Sequence, residues 1–288
     1  MAQVIGVAGT GRMGTAFARR LIETGYKVKV WNRNIARAAE AVAAGAAESD
    51  LGGIATCDAI IMSLTGGSAA RDVLDELLAL GLAGRLIIEM STLLPDEAEE
   101  LAETARTAGA DFVHCPVGGT VAPALKGQLL GMAGGSPAAM VRAQPILGQL
   151  CRRVADMGNV SNAARMKLAI NLPLAIYWQT LGESLALLHG AGVPDDLAIS
   201  VIADSSAGPA VLKNRGQVVI DTLSGRDQTA TFDVAGLAKD LGLALQLAET
   251  MGRELPTARS SAACYADAIA SGLGGFDGAS VSRRAARK

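Results

Sequence analysis

Lys167 and Asn171 stand four residues apart in the stretch RMKLAINLPLA, and no charged residue occurs from Leu168 to Gly182. On a helix that spacing puts both side chains on one face. An ammonium set among apolar neighbours is unfavourable unless it is paired, reaches water along its own stem, or lowers its pKa. Burial draws that pKa down from about 10.4, toward the range in which a lysine carries and releases a proton. Only two histidines, His114 and His189, occur in 288 residues. A histidine metal cluster or a Ser-His-Asp triad is therefore hard to assemble. Lys167 is the best proton carrier available.

A second constellation lies at the start of the chain. In VIGVAGTGRMG, Gly9, Gly11 and Gly14 form G-x-G-x-x-G, with Thr10, Arg12 and Met13 between them. The motif sits between an apolar strand-like run and a helical pattern, the context a dinucleotide fingerprint requires. The first two glycines let backbone N–H groups approach a pyrophosphate, and the helix dipole favours the anion. Further on, VWNRN ends the second strand-like run with Asn32, Arg33 and Asn34. An NAD binder commonly has Asp or Glu there for the adenosine ribose. Here no carboxylate repels a 2′-phosphate, and Arg33 can pair with one, helped by Arg37. The expected cofactor is NADP rather than NAD.

The elements that must position these residues follow two grammars. QVIGVAG, KVKVWNR, DAIIMSL, RLIIEMS, DFVHCPV and LLGMAGG read as strands, alternating with helical patterns such as GTAFARRLIETG, IARAAEAVAAGA and AAMVRAQPILGQL. Continuous apolar strands joined by helices imply a parallel sheet covered on both faces. After about Val160 the strand signals stop. The segment beginning ARMKLAIN, then PDDLAISVIADSS, DVAGLAKDLGLALQLAETMG and PTARSSAACYADAIASG, all have helical periodicity. The first is long and carries Pro173, which is expected to kink it. The division is an α/β domain over 1–160 and an all-α domain over 161–288, joined by a long interdomain helix, with a cleft between them.

Composition narrows the function classes. Half the residues are hydrophobic but only 3% are aromatic, so the core is built from Ala, Leu, Val and Ile. A net charge of −2 gives no footprint for nucleic acid. The basic SRRAARK at the end reads as a solvated, frayed tail. Cys57, Cys115, Cys151 and Cys264 form no CxxC pair, which points to reduced thiols in the cytoplasm with no disulfide framework and no metal site. No uncharged apolar run is long enough for a membrane span, and MAQVIGVAGTG lacks a secretory signal.

Taken in order, GTGRMG, STLLP, FVHCPVGGT, KLAIN, FDVAGLAKDLGLA and GFDGASV resemble the β-hydroxyacid dehydrogenase family along essentially the whole chain. That family includes 3-hydroxyisobutyrate dehydrogenases and glyoxylate/succinic semialdehyde reductases. The resemblance implies a Rossmann-like domain followed by an all-helical domain, usually paired into a homodimer through the long helices. It implies that Leu64 and Thr65 run under the cofactor, that Thr92 lies by the nicotinamide, and that Lys239 reaches the cofactor. Ser91 is read as substrate-binding or as a strand-end cap. Lys167 matches the family's catalytic lysine, and Asn171 the asparagine that orients it and the substrate. Asp240 reads as structural, Phe232 as a core or cofactor-packing residue. Hydride transfer to a carbonyl leaves an alkoxide, which a nearby proton donor stabilises.

The chain departs from the family at HCPVGGT. Family members usually read D-A-P-V-S-G-G, so the serine that helps hold a substrate carboxylate is Gly118 here, leaving the Gly119 N–H and the Thr120 hydroxyl. His114 replaces an acid and reads as a satisfied core histidine. Imine reductases share the fold, favour NADPH and show a similar NR after the second strand, but generally lack the lysine. An imine reductase is thus the alternative to a carbonyl or β-hydroxyacid oxidoreductase. A non-catalytic NADP-binding interaction protein is a third reading. No partner beyond a small-molecule substrate and a second copy of the chain is expected.

Overall fold

The computed structural model describes residues 3–226, 228, 230 and 232–286. It forms two compact units, Met1–Lys167 and Leu168–Lys288. The first contains, in order, β1 (Val4–Ala8), α1 (Arg12–Glu23), β2 (Lys27–Trp31), α2 (Ala39–Ala43), β3 (Ala47–Glu48), α3 (Leu51–Ala55), β4 (Ala59–Met62) and α4 (Gly67–Ala79). It continues with β5 (Leu86–Glu89), α5 (Pro95–Thr107), β6 (Asp111–His114), β7 (Val117–Gly118), α6 (Val121–Leu125), β8 (Leu129–Gly135), α7 (Pro137–Leu150) and β9 (Cys151–Asp156).

The strands run in the order β3-β2-β1-β4-β5-β6-β8-β7, with β9 also pairing β8. Pairing is parallel from β3 through β6. This is a doubly wound arrangement whose order reverses between β1 and β4, where open α/β sheets bind ligands beyond the strand ends. Alternate residues of the apolar strands serve opposite faces. Ile61 and Ile88 pack with Phe17, Leu21, Ile146 and Leu150 of α1 and α7. Ile60, Met62 and Ile87 pack with Ile54, Leu74, Leu77 and Leu101 of α3, α4 and α5.

Three expectations need correction here. The sheet is not wholly parallel: β8 is antiparallel to β6 and β7. The two-residue β3, and β9 in CRRVAD, carry too little apolar pattern to read as strands, and the run DFVHCPV, expected as one strand, is divided between β6 and β7. The helix expected over IARAAEAVAAGA is a 3-10 turn at Ile35–Ala38 followed by a five-residue α2. Asn34 caps that turn, and Gly45, at φ 108°, follows it where the chain bends toward β3.

Helix α8 (Val160–Ala186) runs by residue range from the first unit into the second. It is continuous through Pro173, which has no N–H to donate to the Ala169 carbonyl. The second unit adds α9 (Asp195–Asp204), α10 (Ala210–Leu223), α11 (Val234–Thr250), α12 (Pro256–Ala268) and α13 (Ser280–Ala286). Its core gathers Trp178, Leu181, Leu212, Leu237, Leu241 and the fully buried Tyr265, whose hydroxyl donates to the Ala175 carbonyl at 3.0 Å.

Helix α10 escaped the reading of periodicity because AVLKNRGQVVIDTL mixes a glycine with a β-branched run, both weak helix formers. The frayed tail is also corrected. Ser282–Ala286 belong to α13, Ser282 is buried, and its hydroxyl donates to the Trp178 carbonyl at 2.7 Å. Gly182 of α8 allows that approach, because a Cβ there would overlap the Ser282 backbone. Arg287 and Lys288 of the same stretch lie outside the described residues.

Candidate active site

The glycine turn joins β1 to α1 and is shaped by close contacts. Gly9 has φ 100°, and a Cβ on it would overlap the Ser63 carbonyl. A Cβ on Gly14 would overlap the Gly9 carbonyl, so both positions exclude larger residues. Gly11 is different: apart from its chain neighbours, no atom of the described residues lies within 4 Å of where its Cβ would be. It is the N-cap of α1, offers no capping side chain, and no acidic residue occupies the first turn. The Thr10 hydroxyl is buried and has no hydrogen-bond partner among the described residues. An open approach over Gly11, an orphan hydroxyl and an uncapped helix start fit a dinucleotide's pyrophosphate.

At the end of β2 the two asparagines are turned to the chain itself. Asn32 Nδ2 donates to the Asn34 carbonyl at 2.8 Å, and Asn34 Oδ1 accepts from the Ala36 N–H at 3.2 Å. Arg33 and Arg37 are exposed. Glu40, the nearest following acid, is paired with Arg19 at 2.6 Å.

The loops after β4 and β5 are tied together. The Leu64 N–H donates to the Ser91 hydroxyl oxygen at 2.8 Å, and the Ser91 N–H donates to Glu89 Oε1 at 2.6 Å. Thr65 is exposed and Thr92 half-buried in the same two loops. Glu89 ends β5 and is fully buried. Burial pushes its carboxyl up to about 7, against the opposing pull of the Ser91 hydroxyl and of the Ser91 and Met90 N–H groups. His114 pairs with it in register on β6. The imidazole Nδ1 lies 3.1 Å from the Glu89 backbone oxygen, while burial lowers its pKa to about 4. The expected satisfied histidine is half-satisfied: Nε2 has no partner among the described residues, and neither has Glu89 Oε2.

Lys167, 9% exposed, donates from Nζ to the Val117 carbonyl at 2.8 Å. That carbonyl immediately precedes Gly118. Gly119 has φ 123°, and a Cβ there would crowd Leu129, so this loop needs glycine. Thr120 begins α6 without using its hydroxyl as a cap. Thus Lys167 does not snorkel; it is docked on the backbone of the loop expected to receive substrate. In the helical unit, Asn171 Nδ2 donates to Asp240 Oδ2 at 2.6 Å. Lys239 Nζ lies 3.1 Å from Asp240 Oδ1, an ion-pair contact without hydrogen-bond alignment. Phe232 packs against the helical core beside Gly236.

Two acids stand close to the expected site residues. Glu89 has a signal in the sequence, a lone carboxylate in the apolar run LIIEMS. Asp240, expected to be structural, holds the side chain of Asn171. No cluster of potential metal ligands exists among the described residues. All four cysteines are free thiols, and no described helix is long and apolar enough to cross a membrane.

A family model for the NAD-binding domain of 6-phosphogluconate dehydrogenase matches residues 4–158. A second, for the NAD-binding region of NADP-dependent 3-hydroxyisobutyrate dehydrogenase, matches residues 161–284. The chain is 29% identical over 282 residues to glyoxylate/succinic semialdehyde reductase 1 of Arabidopsis thaliana, covering 96% of each protein. It is 30% identical over 283 residues to 3-sulfolactaldehyde reductase of Escherichia coli, covering 96% of this chain and 94% of the relative. A solved 3-hydroxyisobutyrate dehydrogenase from Salmonella typhimurium superposes with a TM-score of 0.88 at 25% identity, over 98% of this chain and 99% of that one. With a doubly wound sheet, an open glycine turn and both family models aligned along its length, the chain belongs to the β-hydroxyacid dehydrogenase family of NAD(P)-binding dehydrogenases and reductases.

Proposed function

We propose that this protein is an NADPH-dependent reductase of a small aldehyde carrying an anionic group, with Lys167 supplying the proton. The observation that carries the reading is the buried Lys167 ammonium bonded to the carbonyl before Gly118. The bound cofactor would supply the hydride. Gly9, Thr10, Gly11, Arg12, Met13 and Gly14 would hold its pyrophosphate, with Leu64, Thr65, Thr92 and Lys239 lining it and Asn32, Arg33 and Asn34 at its adenosine end. Lys167 Nζ holds the proton that a developing alkoxide needs. Asp240 fixes the Asn171 amide by accepting from Nδ2, so the amide is held in one orientation toward Lys167 and the substrate. Gly119, Thr120 and Ser91 would receive the anionic group in place of the serine that Gly118 replaces.

Relatives named for glyoxylate, succinic semialdehyde and 3-sulfolactaldehyde support the substrate class. The domain at 1–160 then serves NADP and that at 161–288 serves substrate and dimerisation, in a cytoplasmic homodimer. The test is the initial rate of NADPH oxidation by wild type and Lys167→Ala. One panel holds glyoxylate, succinic semialdehyde and 3-sulfolactaldehyde; the other holds cyclic imines. Lys167→Ala is expected to lower kcat on the aldehydes about a hundredfold or more while still binding NADPH. Turnover of imines alone, undiminished in the variant, replaces this reading with an imine reductase. Binding of NADPH with no turnover of either panel replaces it with a non-catalytic binding protein.

A further inference from the structure

Three βα turns of the first unit are linked one to the next, and the chain of contacts ends on one buried carboxylate. Leu64, after β4, stands against Gly9: a Cβ built on that glycine would lie 2.9 Å from Leu64 Cδ2. The Leu64 N–H is held by the Ser91 hydroxyl, and the Ser91 N–H by Glu89 Oε1. Beyond this chain of bonds lies the strand end of β5, fully buried, with His114 beside it in register. A carboxylate in such a place needs a reason, because an apolar residue at the end of LIIEMS would bury at lower cost. The bonds it makes supply one.

We propose that Glu89 is a positioning residue for cofactor binding: through Ser91 it fixes the Leu64 peptide, and so the wall of the glycine turn. The proposal rests on the cofactor reading above. Without an acceptor at position 89, the buried Ser91 N–H has no partner from this residue. The serine can then rotate, and the hydroxyl oxygen that holds Leu64 is no longer fixed.

The experiment compares wild type, Glu89→Leu and Glu89→Gln. Hydrogen exchange at the Leu64 amide is followed by NMR in the unliganded protein, and NADPH binding by nicotinamide fluorescence. Glu89→Leu is expected to speed Leu64 exchange and weaken NADPH binding, each about tenfold, equivalent to about 1.4 kcal/mol. Amides at the centre of α7 should exchange as in wild type, which a general loss of stability would not allow. Glu89→Gln keeps an oxygen for the Ser91 N–H and is expected to restore most of both effects. Unchanged Leu64 exchange and NADPH affinity in folded Glu89→Leu overturn the proposal. Where that variant does not fold, Ser91→Ala breaks the same link at its other end, and unchanged Leu64 exchange in it is equally fatal. A wild type that binds neither NADPH nor NADH defeats the cofactor reading, whereas exchange at Leu64 separately decides whether Glu89 holds the loop.

Discussion

Two fully buried ionisable side chains, Glu89 and His114, lie side by side on β5 and β6 and titrate in opposite senses on folding. The Glu89 value rises from 4.5 to about 7, so its contribution is fully present below 4.5 and is lost as pH rises through 7. The His114 value falls from 6.5 to about 4, so its contribution is fully present above 6.5 and is lost as pH falls through 4. Each amounts to about 3 kcal/mol. Between about pH 4.5 and 6.5 the proton gained by one is the proton given up by the other, and their slopes cancel. Glu89→Gln removes one slope. Its stability relative to wild type is expected to rise by about 3 kcal/mol between pH 4.5 and 7.5, read from urea unfolding at both values. Parallel pH profiles for the two proteins would refute the assignment. Neither ionisation was legible in sequence, because each depends on complete burial between strands paired only in the folded sheet.

At the scale of elements, the proposed chemistry draws on strand ends and one helix. The end of β2 presents Arg33 to solvent while Asn32 and Asn34 bond to the chain around them. The proposed preference for NADPH rests on Arg33 pairing with the 2′-phosphate. Arg33→Ala is expected to raise KM for NADPH about tenfold and to leave KM for NADH nearly unchanged. Equal losses for both cofactors would show that Arg33 is not reading the phosphate. The central strands, the glycine turn and the lysine helix were legible because β-branched runs, G-x-G-x-x-G and an isolated ammonium are local signals. Helices α10 and α13 were not. The first is weakened by Gly216 and its β-branched neighbours, and the second, basic and short, takes its order from the Gly182 contact and the Trp178 carbonyl.

At the scale of the molecule, the helical unit leaves Leu187, Leu197 and Val201 respectively 85%, 53% and 61% exposed. Large apolar side chains in this number are consistent with a surface that a second copy covers. The proposed homodimer is expected to appear in light scattering as twice the mass of one chain across micromolar concentrations; a single-chain mass would remove it. The amino-acid sequence by itself determined the strand-helix alternation, the helical second half, the glycine turn and the lysine on its apolar helix. Those features depend on residue type and on neighbours a few positions away. Only tertiary structure decided that Leu64 is held by Ser91, 27 residues on, that Lys167 rests on Val117, 50 residues back, and that Asn171 is held by Asp240, 69 residues on. Such bonds depend on the register of strands and the packing of helices, which local propensity does not encode.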